Sequence, residues 1–111
     1  MKTHHPELAR GRWQTFSLAQ QLGNVGSEVS RAMRWQAKDQ KLFDGALVRA
    51  LELFDLTIED SRWRGRLKEL LRVREFLCGA WLGGAEHGVS LQSLNRYFFD
   101  FALAARGNKP V

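Results

Sequence analysis

Residues 67–78 read LKELLRVREFLC, and the spacing within this stretch decides the fold. Leu67, Leu70, Leu71, Leu77, Cys78 and, just beyond, Trp81 recur at the i, i+3, i+4, i+7 interval that lines one side of a helix. At about 100° per residue, Arg74 falls inside that apolar arc. A guanidinium keeps its charge, so a buried one needs a carboxylate or another set of acceptors. Arg74 is therefore the residue whose position asks for a specific partner.

The same periodicity continues on both sides. Upstream, Phe43, Leu47, Ala50, Leu51, Phe54 and Ile58 form the main face of a helix predicted over about 40–58 and capped by Asp39. Leu42, Leu53 and Leu56 widen that face, which predicts neighbours on two sides. A first helix over about 17–36 opens on the S-x-x-Q capping box of Ser17 and Gln20. Its apolar stripe is Leu18, Leu22, Val25, Val29 and Ala32, and beside it runs a stripe of small residues, Ala19, Gly23, Gly26 and Ser30. Each glycine costs about 1 kcal/mol of helix propensity, so two on one face predict close approach of another helix backbone.

The third helix is expected over about 61–78, capped by Asp60 or Ser61 and stopped at Gly79. Its very short connection to the second makes the two antiparallel neighbours. A fourth, over about 90–106, opens at Ser90 and carries Leu91, Leu94, Phe98, Phe101, Ala102 and Ala105. No segment alternates with period two. The expectation is an all-α, antiparallel four-helix bundle in a single domain, residues 1–111, with a short basic N-terminal arm, residues 1–16. A short helical turn is expected after Pro6, the glycine-rich segment 79–89 is expected to be the most mobile interior stretch, and the tail 108–111 is expected to be loose.

Composition narrows the function classes. With 44% hydrophobic and 26% charged residues among 111, the chain reads as an ordinary soluble domain with a core of its own. Cys78 is alone, which excludes an internal disulfide and a cysteine metal cluster and fits a reducing compartment. No stretch approaches a membrane span and no signal peptide is evident, so a cytoplasmic location is expected. The net charge is +5, unevenly spread. Arg62, Arg64, Arg66, Lys68, Arg72 and Arg74 crowd one helix, while Asp44, Glu52, Asp55, Glu59 and Asp60 crowd its neighbour. Mutual pairing of these two helices is the favoured reading.

Three acids are candidate partners for Arg74. Glu28 is favoured because it borders the apolar stripe of the first helix; Asp55 comes next; Glu52 points nearly opposite its own core face. The alternative is a ligand carboxylate or phosphate held between helices. A second constellation is the ridge Arg64, Lys68 and Arg72, which with Arg10 and Arg12 of the arm could lie along phosphates. A third is a surplus of apolar residues outside the expected core. Phe99, Leu103, Trp13 and Trp35, with Gly23 and Gly26, predict a homodimer or higher homo-oligomer and leave room for a protein partner. His4, His5 and His87 lack the i, i+4 partners of a helical metal site, and Glu86 beside His87 is adjacency only. With no nucleophile triad, phosphate loop or Glu-x-x-His pattern, the sequence points away from an enzyme, a metal site or a cofactor.

The strings GSEVSRA at 26–32, RALELFDLTIED at 49–60 and LKELLRVREFLC at 67–78 resemble a family of small uncharacterised prokaryotic helical-bundle proteins. The layout is also similar to HEPN-type bundles and to the four-helix bundles encoded in ribosomal RNA intervening sequences. That resemblance implies oligomers or partner-bound proteins in nucleic-acid-related systems. It does not bring the HEPN ribonuclease activity, because no arginine here is followed at short range by histidine.

Overall fold

The computed structural model describes residues 11–82 and 90–107. Among them are four α-helices, α1 (Leu18–Trp35), α2 (Gln40–Glu59), α3 (Leu67–Trp81) and α4 (Leu91–Arg106), and no strand. A turn of 3-10 helix, Trp13–Thr15, precedes α1, and a longer 3-10 stretch, Ser61–Arg66, precedes α3. The turn after Pro6, the glycine-rich segment beyond Leu82, Glu86, the three histidines, Arg10 and the tail lie outside the described residues.

Helix starts follow the capping chemistry in the sequence. Ser17 accepts from the Gln20 backbone N–H while the Gln20 side chain accepts from that of Ser17, closing the capping box. Asp39 caps α2 through the Leu42 N–H, and Ser90 caps α4 through the Ser93 N–H. Between α1 and α2, Gln36 (φ −55°, ψ 129°) and Ala37 (φ 65°) form a type II turn closed by Lys38 N–H donating to Trp35 O. That turn favours glycine where Ala37 stands, so the chain holds a small strain there.

The third helix departs from expectation at both ends. Asp60 caps the 3-10 stretch by accepting from the Arg62 N–H, and Trp63 then breaks helical geometry at φ −101°, ψ 19°. The α-helix begins only at Leu67, where the apolar periodicity begins. It runs through Gly79 to Trp81, whose indole N–H donates to Asp44 of α2 at 2.8 Å. That tertiary anchor holds the last turn that Gly79 alone was expected to end.

α1 carries the most extensive contacts, against α2 on one side and α4 on the other, while α3 touches α2 and α4 more sparingly. Its whole expected stripe, Leu18, Leu22, Val25, Val29 and Ala32, is buried. The stripe of small residues faces α4 of the same chain. A Cβ on Gly26 would collide with the Cβ of Phe98, and one on Gly23 would meet the Cα of Ala102 at 3.2 Å. Further along α1, Ser30 donates to Asn95 at 2.6 Å, so the paired positions advance on α1 as they retreat on α4. Phe54 and Phe98 close the centre edge to face, 5.9 Å apart.

Candidate functional site

Arg74 is not at the centre of a buried face. On α3 only Leu70, Val73 and Leu77 are buried, a strip centred about 60° round the helix from Arg74. Leu71 is 47% exposed. The arc expected from the leucines is too wide because α3 makes narrow contacts: Leu77 lies nearest the middle of the strip and Val73 at its edge away from Arg74. Arg74 instead borders the core and reaches across to α2. Its Nε donates to Asp55 Oδ1 at 2.6 Å and its Nη2 to Oδ2 at 3.3 Å, a bidentate pair that raises the guanidinium pKa. The two side chains are 35% and 47% exposed.

The order of candidate partners is thereby corrected. Glu28 lies 2.8 Å from Arg31 and 3.3 Å from Arg49, tying α1 to α2. It does not meet Arg74 because α1 packs chiefly on α2 and α4. Glu52 is partly buried on α2 and is likewise not the partner of Arg74.

The buried polar centre lies elsewhere, at the end of the molecule where Trp13–Thr15 meets Ser61–Arg66. Gln21, wholly buried on α1, donates from Nε2 to both Trp13 O (2.9 Å) and Asp60 Oδ2 (3.1 Å). Its Oε1 accepts from the Trp63 indole at 2.9 Å. Arg62 grips Asp60 through Nε and Nη2, donates from Nη2 to Phe16 O, and stacks over the Trp63 ring at 4.4 Å. The Arg62 hydrogen bond holds the Asp60 carboxyl at about 2; burial pushes the other way and Gln21 helps Arg62. Trp13, expected among the exposed surplus, is 1% exposed and belongs to the core. Gln21 was detectable in sequence as the polar residue flanking Leu18, Leu22 and Val25 on one helical face. Its partners were not, because they come from distant segments.

A second network joins α3 to α4. Tyr97 donates to Glu69 Oε2 at 2.5 Å, and Arg66 holds the same carboxylate from Nη2 at 2.9 and 3.0 Å. Burial opposes ionisation of Glu69, but Tyr97 and Arg66 together outweigh it and keep the carboxyl below its usual range. Burial and then Glu69 push the Tyr97 phenol well above its usual range.

These pairings leave the ridge free. Arg64, Lys68 and Arg72 are exposed and make no ion pair among the described residues. The expected pairing of the basic segment with its acidic neighbour is seen in Arg74 with Asp55 and in Arg62 with Asp60. Arg12 is exposed at the end of the molecule where the ridge begins. Next to the ridge, Lys68, Glu69, Arg72, Val73 and Phe76 line an open depression of about 570 Å³. On α4, Phe99 and Leu103, one turn apart, are 53% and 47% exposed. Gly23, Gly26, Ser27, Asn95, Phe99 and Arg106 contribute to a shallow groove there. Trp35 is half-buried against the core. Among the described residues no cluster of histidine, cysteine or carboxylate side chains is suited to a metal ion. No helix among them is long and apolar enough to cross a membrane. No protein-family model, curated protein or solved structure matches the chain.

Proposed function

We infer that the chain is an antiparallel four-helix bundle acting as a non-enzymatic interaction or accessory module in the cytoplasm, assembled as a homodimer or higher oligomer through α4. The observation that carries this reading is the exposure of Phe99 and Leu103 on one face, beside the groove between α1 and α4. Burying a side chain of that kind stabilises an association by about 1.5–3 kcal/mol. Gly23 and Gly26 act within the chain, holding α4 against α1 so that its outer face is presented. Light scattering of the wild-type chain should give a dimer or larger, and Phe99→Glu with Leu103→Glu a monomer of unchanged helicity. A wild-type monomer at high micromolar concentration ends the reading.

A second reading, nucleic-acid binding through Arg64, Lys68 and Arg72 with Arg10 and Arg12, is favoured by one observation. The three ridge cations are unneutralised while Glu28, Asp55, Asp60 and Glu69 are each engaged by other arginines. Filter binding at two salt concentrations tests it: affinity should fall as salt rises.

A further inference from the structure

Resting on the first reading, in which copies meet through α4, we propose that α4 takes a second copy of itself, antiparallel across a two-fold axis, with Arg96 of each copy paired to Asp100 of the other. Phe99 and Leu103 form the apolar centre of the face. At about 100° per residue, Arg96 and Asp100 lie beyond Leu103 on one flank, and Asn95 and Ala102 lie beyond Phe99 on the other. The flank of Asn95 and Ala102 lines the groove against α1, so the charges sit on the side turned away from α1. Arg96 and Asp100 stand one turn apart, about 6 Å along the helix, a spacing at which the two could bridge each other. Both are exposed, and neither is in an ion pair among the described residues. Glu28, Asp55, Asp60 and Glu69, by contrast, each hold an arginine of their own chain.

The order of the two charges selects the direction of the partner. In an antiparallel pair each flank meets its own copy running the opposite way, so the arginine of one helix faces the aspartate of the other, twice over. In a parallel pair the charged flank would meet the flank of Asn95 and Ala102, which is uncharged and already turned to α1. With the two Phe99 rings at the axis, Arg96 stands level with position 102 of the other copy, two residues, or about 3 Å of rise, from its Asp100. An arginine side chain spans that distance. Such a contact uses the same patch on both copies and closes at two. Opposite charges at the rim of an apolar patch fix register and orientation more than they add affinity.

The test is sedimentation equilibrium of the full chain at low salt on wild type, Arg96→Asp, Asp100→Arg and an equimolar mixture of the two variants. Wild type should be a dimer. Arg96→Asp sets acid against acid across the axis and Asp100→Arg sets cation against cation, so each variant alone should self-associate about tenfold more weakly. The mixture should recover the dimer mass as a heterodimer, because the acidic flank of one variant then faces the basic flank of the other. Both positions are exposed, and circular dichroism checks that each variant keeps its helices. A charge reversal that leaves association at the wild-type level, a mixture that stays dissociated, or a wild-type assembly larger than a dimer overturns the antiparallel pair. Each of these leaves α4 as the assembly face, which Phe99→Glu with Leu103→Glu tests separately. A wild-type monomer removes both.

Discussion

Two of the polar contacts that join elements of this molecule each pair an arginine with an aspartate, and they differ in burial. At the end where Trp13–Thr15 meets Ser61–Arg66, Asp60 is 4% exposed and accepts from Gln21 and Arg62, while the Trp63 indole donates to Gln21. Between the last third of α2 and the middle of α3, Asp55 and Arg74 form a bidentate pair whose members keep a third to a half of their surface in water. Both look alike as arginine–aspartate contacts. The difference teaches that environment sets their worth: water screens the second and competes for its hydrogen bonds, whereas the first has few alternatives.

Removing the buried acceptor should have the largest effect. Asp60→Ala strips Arg62 and Gln21 of their shared partner and the 3-10 stretch of its cap, and urea unfolding should show a loss of about 3 kcal/mol. The pH profile sharpens the same point. The Asp60 carboxyl lies at about 2 in the fold against 3.8 ordinarily, so its contribution of about 2 kcal/mol is present above pH 4 and fades as pH falls toward 2. The gap in stability between wild type and Asp60→Asn should therefore narrow over that window; a constant gap would contradict it. Gln21→Leu leaves the Trp63 indole without its acceptor and Trp13 O without its donor, and should cost about 1–2 kcal/mol. Smallest of all, Arg74→Met should cost under about 1 kcal/mol, and a double-mutant cycle with Asp55→Asn should give a coupling of about 0.2–1 kcal/mol. A loss at Arg74 as large as at Asp60 would break the comparison.

How much was legible follows the same line. The helix starts at α1, α2 and α4 were readable because capping is local: Ser17, Asp39 and Ser90 each meet a backbone N–H within three residues. The stripe of α1 was readable because that helix is covered on both sides. On α3 periodicity alone places the face too far round the helix, since only Leu70, Val73 and Leu77 are covered and leucine content does not report how wide a contact is. Helical phase favours Glu28 for Arg74, but phase says where a side chain points on its own helix and not which helix stands opposite. Of the ridge, Lys68 and Arg72 share α3 as their spacing implies, whereas Arg64 stands in the 3-10 stretch before it, and that these charges stay unneutralised is not legible in the sequence. Tyr97 carries no local signal, because its partner Glu69 is 28 residues away.

By itself, then, the sequence determined the helical class, most helix starts, the core stripe of α1 and the close approach demanded by Gly23 and Gly26. These depend on backbone capping and on the period of 3.6 residues, which act over one or two turns. Only the tertiary structure decided that α4 fills that approach, that Trp13 is core, that Asp55 takes Arg74, and that Gln21 and Asp60 form the buried polar centre. Those outcomes depend on which faces meet across segments distant in the chain, and a charge or a hydrogen bond gains its value only from the surroundings that meeting creates.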